Sequence, residues 1–243
     1  MSAAGQGATV LAIDTATARA TLALGRTDGS LVAADAWDAG HRHAEELLAR
    51  IARLLAGAGV GRPGSGSLAG VVVGTGPGGF TGLRVGIATA RGIARSAGAP
   101  LVGVPTAASL EAAAREDAGV GPDRPVAVLL PAGPAGRYLV RAGRVTLLAA
   151  VPAGPLDATP AAEDDPAPGA TLVAVDLAGR VAADASARGA AAVAGLGRAL
   201  LAIGAARLRA GEDDRASLVP EYVTMPRGVT AVAGEVAWSR GPR

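Results

Sequence analysis

The sequence predicts an α/β protein made of two related units, each a sheet flanked by helices. The first 108 residues contain, in order, three strands, a helix, a strand, a helix and a strand, and a looser second round follows. The composition agrees, because half of the 243 residues are hydrophobic while aromatic residues make up only 2%. A core of Ala, Val and Leu closes by tight packing, which favours helices lying close against a sheet over a sandwich filled by rings.

The first unit opens with short apolar runs separated by brief turns, which predict an antiparallel meander. The three strands are expected at 10–13, 19–25 and 31–36. A helix over 43–56 follows, where Glu46 and Arg50 form a favourable pair four positions apart. Its apolar residues recur at helical spacing. Together they predict one buried face that holds Leu47, Leu48, Ile51, Leu54 and Leu55.

The remainder of the first unit alternates strands and helices. A fully apolar strand is expected at 68–73, followed by a glycine loop at 74–79 and a helix at 80–97. A short buried strand at 101–104 precedes a further helix, for which Thr106 is the predicted N-cap.

The second unit repeats the pattern more loosely. The domain boundaries that we expect are 8–108 for the first lobe, 109–224 for the second, and 225–243 for a C-terminal tail. The predicted segments of the second lobe are strands at 126–130, 138–142 and 171–175, a Pro- and acid-rich connector at 151–169, a helix at 189–209 and a short segment at 220–224. The acidic clusters at 163–165 and 212–214 are expected in solvated loops.

One segment, 189–206, comes near the length of a membrane span. It contains Arg198 and consists mostly of Ala and Gly, so it is predicted to be a buried helix. The N-terminus has neither a basic start nor an apolar signal core. The sequence therefore predicts a cytoplasmic protein that does not associate with a membrane.

The composition excludes several chemistries. The chain has no Cys and no Lys, so it offers no thiol nucleophile, disulfide, Schiff base or phosphate-loop lysine. Its only histidines, His41 and His43, stand two positions apart and cannot face one point on a helix, so no metal site is predicted. The formal net charge of +2 indicates no nucleic-acid footprint.

The glycine loop GTGPGG satisfies the pattern G-x-G-x-x-G through Gly74, Gly76 and Gly79. By itself this pattern indicates dinucleotide binding. However, the loop follows an antiparallel meander, and the next carboxylate is Glu111, too far along the chain for a ribose contact. A tight strand-to-helix turn is therefore predicted.

Four segments resemble one family. They are VLAIDTATARATLAL at 10–24, HAEELLARI at 43–51, VVVGTGPGGFTGLRVGIATARGIA at 71–94 and VGVPTAASL at 102–110. In this order and spacing they are similar to bacterial TsaB, formerly YeaZ, and PEYV at 220–223 resembles the family's C-terminal element. The second lobe departs from the family, because LPAGPAGRYL at 130–139 replaces an Ile-Asp-Ala-Arg-like stretch.

The resemblance implies an actin-like (ASKHA) fold with two lobes, each built on a mixed sheet with flanking helices. It implies a non-catalytic scaffold in the modification of tRNA to threonylcarbamoyladenosine, which supports the transferase TsaD. TsaE, an ATPase, joins that complex, and the isolated protein forms a homodimer through the same surface. The chain would need no cofactor of its own and would meet tRNA only through the complex. The resemblance also allows ATP or ADP to bind at the interface of that complex.

Two sets of candidate site residues follow, and no catalytic residue is among them. The nucleotide-facing set is Asp14, Thr15, Gly76 and Gly78. Read from the residues alone, Asp14 and Thr15 also fit an Asx-type turn. The predicted partner interface comprises His43, Leu47, Arg50, Ile51, Phe80, Thr81, Gly82, Leu83, Arg84, Gly86, Ile87 and Ala90.

Two alternatives stay open. One side of the helix at 80–97 is flat, because small residues recur there every four positions: Gly82, Gly86, Ala90 and Ala94. This flat side suits either a partner helix or the lobe's own sheet.

The function also has an alternative, which is an active actin-like ATPase or small-molecule kinase. Such an enzyme needs phosphate-facing carboxylates in both lobes, and the sequence offers at most Asp14.

Overall fold

The computed structural model describes residues 8–39, 43–61, 66–133, 136–148, 169–219, 229–232 and 235–238. The strands are β1 (Thr9–Asp14), β2 (Arg19–Arg26), β3 (Leu31–Asp38), β4 (Gly70–Gly74), β5 (Leu101–Val104), β6 (Val126–Ala132), β7 (Gly136–Arg141), β8 (Arg144–Leu148), β9 (Thr171–Ala174), β10 (Val229–Val232) and β11 (Glu235–Trp238). The helices are α1 (His43–Gly57), α2 (Phe80–Ala97), α3 (Thr106–Asp117) and α4 (Ala183–Arg209).

The first sheet has the strand order β3-β2-β1-β4-β5. Strands β1 to β3 form the predicted antiparallel meander, and β4 and β5 run parallel to β1. Alternate residues of β1 serve the two faces of the sheet. Leu11 and Ile13 join the cluster that contains α1 and α2, while Val10 and Ala12 pack with Leu200 of α4.

The second sheet repeats the connectivity of the first with one strand fewer. Its order is β8-β7-β6-β9, with β7 antiparallel to both neighbours and β9 parallel to β6. The sequence missed β8, which begins with a charge and in which none of the five residues is fully buried. Strands β10 and β11 form a separate antiparallel hairpin within the predicted tail.

Helices α3 and α4 pack against each other and join the two sheets. Leu110 of α3 and Leu196 of α4 share a cluster with Val128 and Val140 of the second sheet. The other side of α4 contacts β1, β2, β4 and β5. Helix α4, which the predicted boundaries assign wholly to the second lobe, therefore serves both lobes.

Helix α4 has 27 residues and begins at Ala183, earlier than the predicted start. It is the one helix in the described part of the chain that is long and apolar enough to cross a membrane, and 56% of its most apolar window is buried. Its glycines allow close approach to the sheets. A Cβ on Gly189 would overlap the carbonyl of Ala174, and one on Gly204 would overlap Val72. Its packing is that of a core helix, as the sequence predicted.

Two local predictions are wrong. The N-cap of α3 is Pro105, and Thr106 occupies the first helical turn with its side chain turned to β1. Ala142, which was expected to end a strand, lies in the β7–β8 turn with a positive φ of 45°. The cluster 212–214 lies in a loop, as predicted, with Glu212 and Asp213 exposed, and its two aspartates also bond to β5. The predicted segments 163–165 and 220–224 lie outside the described residues.

The residues after α4 cover the open edge of β5. The backbone N–H of Leu101 donates to Asp213 at 3.2 Å, and that of Gly103 donates to Asp214 at 2.8 Å. The backbone N–H of Asp214 donates in turn to the carbonyl of Leu101 at 2.7 Å. These contacts provide hydrogen-bond partners for backbone groups of β5 that would otherwise be unpaired at the edge of the sheet.

Candidate functional site

Buried polar groups gather where β1 and β4 end and α3 begins. Because β1, β4 and β5 are parallel, their carboxyl ends meet at one edge of the sheet, the position at which α/β folds commonly bind ligands. We call the group formed by Asp14, Ala16, Gly74, Gly76 and Thr106 the Asp14 junction.

Hydrogen bonds connect Asp14, Ala16, Gly76 and Thr106 within this junction. The backbone N–H of Ala16 donates to Asp14 Oδ1 at 2.8 Å, which is the Asx-type turn that the sequence left open. Thr106 Oγ1 donates to Asp14 Oδ2 at 2.7 Å and accepts from the backbone N–H of Gly76 at 3.1 Å. The backbone N–H of Thr106 donates to the carbonyl of Gly76 at 2.7 Å. The turn, the glycine loop and the start of α3 therefore form one bonded unit.

The glycine loop is the tight strand-to-helix turn that the sequence predicted. A Cβ on Gly74 would overlap the carboxylate of Asp14, and one on Gly78 would overlap the carbonyl of Ala16. Gly76 adopts a φ of +103°, which favours glycine. Gly74 and Gly78 thus have a packing role, and Gly76 has a conformational one. The nucleotide-facing role of Asp14, Thr15, Gly76 and Gly78 stays a prediction.

Asp14 is fully buried, and burial raises its pKa to about 6 from the ordinary value of 3.8. Desolvation is the main cause, because it disfavours the charged form. The hydrogen bonds from Ala16 and Thr106 lower the pKa but do not offset the burial. In the part of the chain that the structure describes, no three His, Asp or Glu side chains gather as a metal site.

The flat side of α2 faces the chain's own β1–β2 turn, so the expectation of a flat docking face is corrected. Thr15 Oγ1 donates to the carbonyl of Gly82 at 2.7 Å. A Cβ on Gly86 would overlap Thr15 Oγ1. Ala90 and Ala94 are buried in the same cluster as β1 and β2. Of the two arrangements that the sequence left open for this side of α2, the fold adopts packing within the same lobe.

The predicted interface residues therefore divide into two groups. Those buried within the chain are Leu47, Ile51, Gly82, Leu83, Gly86, Ile87 and Ala90. Those that reach the surface are Arg50, Phe80, Thr81 and Arg84. His43 begins α1, but its side chain lies outside the described part.

Leu48 was assigned wrongly to the buried face of α1. It is 60% exposed, whereas Leu47, Ile51 and Leu55 are buried. The buried three stand four positions apart in one row, and Leu48 lies beside that row, three positions before Ile51 and seven before Leu55. Helical spacing alone did not separate Leu48, because the way α1 packs on the sheet decides which edge of the apolar face stays exposed. Leu48, Arg50, Phe80, Thr81 and Arg84 together are called the α1–α2 surface below.

Arginines of the α1–α2 surface are held in fixed positions. The guanidinium of Arg50 lies 4.5 Å from the ring centroid of Trp37 and pairs with Asp35 at 3.0 Å. It also pairs with Glu46 at 2.8 Å, as the sequence predicted. The guanidinium of Arg84 lies 4.0 Å from the ring centroid of Phe80. The sequence missed Asp35 and Trp37, because their contact with α1 depends on how β3 and α1 pack.

A cavity of about 800 Å³ opens between the two lobes, next to the β1–β2 turn. Small side chains of β3 and α4 form much of its lining, together with Arg19, Asp38, Asp176 and Ser186. The backbone N–H of Ala18 donates to Asp176 Oδ2 at 2.7 Å and links the lobes at this point. The sequence did not point to Asp176, which lies 158 positions from Ala18.

The two sheets of matching connectivity, joined through α3 and α4, define the actin-like class of proteins. Within that class, the family model described as "TsaD: tRNA N6-adenosine threonylcarbamoyltransferase" matches residues 37–170, more than half of the chain. The chain belongs to this family.

Solved structures share the whole fold. YeaZ from Pseudomonas aeruginosa superposes with a TM-score of 0.60 over 89% of this chain and 100% of its own, at 24% identity. A second Pseudomonas aeruginosa structure, described as an uncharacterized protein with similarity to peptidase YEAZ, has the same TM-score and coverage at 22% identity. The chain is therefore YeaZ-like, or TsaB-like, in its fold.

Curated relatives match a shorter part. Uncharacterized proteins of Mycobacterium bovis and Mycobacterium tuberculosis are 41% identical over 100 residues, which is 41% of this chain and 46% of theirs. The chain thus spans about half the length of the curated relatives that it matches.

A pair of glycine substitutions in α2 tests the packing of its flat side. We expect Gly86→Leu to destabilise the fold by about 2 kcal/mol or more, because the side chain must displace Thr15. Gly92→Ala is the matched control, since nothing lies within 4 Å of its Cβ position, and it should stabilise by about 0.5–1 kcal/mol. Thermal melts of both variants provide the measurement. An unchanged melt for Gly86→Leu would place this side of α2 outside the core.

The raised pKa of Asp14 predicts a pH-dependent stability. The folded chain binds the proton more tightly than the unfolded chain, so this contribution is complete below about pH 3.8 and is lost as the pH rises through about 6. The loss is on the order of 3 kcal/mol for a raise of this size. Asp14→Asn keeps the shape and removes the titration. Urea unfolding of both proteins between pH 4 and 7.5 should show their difference change across this window, and a constant difference would contradict the assignment.

Proposed function

We propose that this chain is a non-catalytic subunit of the machinery that places threonylcarbamoyl on N6 of adenosine in tRNA, and that it pairs with and supports TsaD. Family membership and the YeaZ-like fold support the tRNA-modification setting. The observation that carries the non-catalytic part is the bonding of Asp14 within its junction.

An actin-like enzyme needs a carboxylate at the β1–β2 turn that faces phosphate and metal. Here the Asp14 carboxylate is fully buried, and its two oxygens accept hydrogen bonds from Ala16 and Thr106. A metal-bound phosphate would have to break both bonds and open the glycine loop at Gly74. The corresponding turn of the second lobe lies in LPAGPAGRYL, which contributes no carboxylate. The bonding of Asp14 therefore suits a structural role.

The α1–α2 surface is the docking site that we propose for TsaD. Leu48 supplies exposed apolar area, and Arg50 and Arg84 are already held over Trp37 and Phe80. Side chains fixed before association lose less conformational entropy when they bind. Arginine held in this way suits a carboxylate or an aromatic ring of a partner.

The wider assembly is part of the same proposal. In the absence of TsaD, the chain forms a homodimer through the α1–α2 surface. TsaE joins the TsaD complex, and ATP or ADP is accommodated at the interface of that complex. The chain itself requires no cofactor, meets tRNA only through TsaD, and works in the cytoplasm.

Two exposed leucines allow a matched binding test. Burying a leucine at an interface contributes about 1.5–3 kcal/mol before the costs of association. Leu48→Asp should therefore weaken the Kd for the TsaD of the same organism at least about ten-fold. Leu147→Asp, on β8 and 44% exposed, is the control and should bind like the wild type. Calorimetric titration with purified proteins measures both.

The outcomes separate the proposed subunit from the alternative enzyme. Equal binding by the two variants would remove the α1–α2 surface from the proposal. Release of phosphate from Mg-ATP by the chain alone, abolished in Asp14→Ala, would favour the ATPase or kinase and overturn the non-catalytic role. Both leucine variants should first show the wild-type melting temperature, because Leu48 is 60% exposed and Leu147 is 44% exposed.

A further inference from the structure

Strand β3 forms one edge of the first sheet. Within the described ranges it pairs with β2 alone. The backbone N–H of Ala39, just after β3, donates inward to the carbonyl of Ala18 at 3.1 Å. Alternate residues of an antiparallel strand direct their backbone groups to opposite sides, so Ala34 and Ala36 point theirs outward. The carbonyl of Ala36 accepts one long bond from Arg19 Nη2 at 3.4 Å, and β3 therefore presents a row of main-chain groups that no described strand meets.

An open groove follows this edge between β3 and α4. It consists of two adjoining cavities, the one of about 800 Å³ described above and a second of about 530 Å³, which share Ala36 and Ala194. We call it the β3–α4 groove; residues of β3 line one side, and residues of α4 between Ser186 and Arg198 line the other. Ala190 and Ala194 of α4 are exposed and small, so they leave the groove deep. Each cavity has the size at which proteins commonly bind a ligand, about 300–1,000 Å³.

The charged side chains that line the groove are mostly acidic. The carboxylates are those of Asp35, Asp38, Asp117 and Asp176, against the guanidiniums of Arg19 and Arg198. Three of the four carboxylates pair with an arginine, and Asp176 does not pair with one in the described part of the chain. Asp176 is exposed, and its Oδ2 accepts from the N–H of Ala18 while its Oδ1 has no described donor. A cation that enters the groove is therefore attracted to Asp176.

We propose that the β3–α4 groove receives an extended, basic segment of a partner protein, which adds a strand to the outer edge of β3. Its backbone bonds to the outward N–H and C=O groups of Ala34 and Ala36, as in other cases of strand addition. A lysine or arginine of the segment meets Asp176 beside the end of β3. The small side chains of α4 leave room for the alternate side chains that face it. This interaction lies beyond the α1–α2 surface and does not depend on the proposed pairing with TsaD.

A blocked peptide as long as β3, with alternating valine and threonine and a lysine at each end, is the probe for the test. We expect the wild type to bind it at low salt with a Kd below about 1 mM. Because the peptide pairs with β3, the amide hydrogens of Ala34 and Ala36 should exchange at least about ten-fold more slowly in the saturated protein. Nuclear magnetic resonance of the labelled protein measures both the affinity and the exchange.

Two exposed alanines of α4 provide a matched pair of variants. Ala194→Phe fills the groove where the two cavities meet and should weaken the Kd at least about ten-fold. Ala206→Phe lies outside both cavities and should bind like the wild type. Should Ala194→Phe fail to fold, Ala190→Phe, which is exposed and lines the larger cavity, replaces it.

The role of charge has a separate test. Asp176→Asn keeps an acceptor for the N–H of Ala18 and removes the charge. It should weaken binding of the lysine peptide about two- to five-fold, as an exposed ion pair does, and leave a peptide with glutamines in place of the lysines unaffected. Asp123→Asn, an exposed carboxylate that lines neither cavity, is the control and should bind like the wild type.

Several results would overturn the proposal. No binding up to about 5 mM peptide would remove the groove as a peptide site. Binding that leaves the exchange of Ala34 and Ala36 unchanged, or that is equal in Ala194→Phe and Ala206→Phe, would place the peptide elsewhere. Slow exchange of these two amides in the free protein would assign the edge of β3 to another part of this chain.

Discussion

The hydrogen bond from Thr106 to Asp14 is the contact on which the arrangement of the first lobe depends. It joins the end of β1 to the start of α3 across 92 positions of sequence, and both side chains are fully buried. Helix α3 packs on α4, and α4 contacts both sheets, so this bond ties the end of β1 to the pair of helices that joins the lobes. A second link, from Ala18 to Asp176, closes the lobes on the cavity side.

Small residues allow the close packing of this core. With aromatic residues at 2% of the chain, helices stay in place because glycines let their backbones come close to the residues that they pack on. Gly86 of α2 fits against Thr15, and Gly189 and Gly204 of α4 fit against Ala174 and Val72. Each of these glycines lowers the helix propensity of its segment, and the close packing that it permits offsets that loss.

The two lobes treat charge differently. In the first lobe, Arg50 has two carboxylate partners and a ring beneath it, which suits a surface that meets another protein. In the second lobe, Arg137 is buried with one backbone acceptor among the described residues. This contrast coincides with the region in which the sequence departs from the TsaB pattern.

The sequence by itself determined the order of the main elements, the tight glycine turn, the Glu46–Arg50 pair and the buried character of α4, since each of these depends on neighbours within a few positions. It left open or misplaced what depends on distant neighbours. Thr106 was expected to cap a helix and instead bonds Asp14, and Leu48 was expected to be buried and is exposed. The loop at 212–214 was expected, but its bonds to β5 were not. Arg137 carried no signal, because an arginine on a strand reads as a surface residue until the fold places a connection over it. Periodicity identifies which residues are apolar, but only tertiary contact decides which group each polar side chain meets, because those partners are brought together by packing across long stretches of the chain.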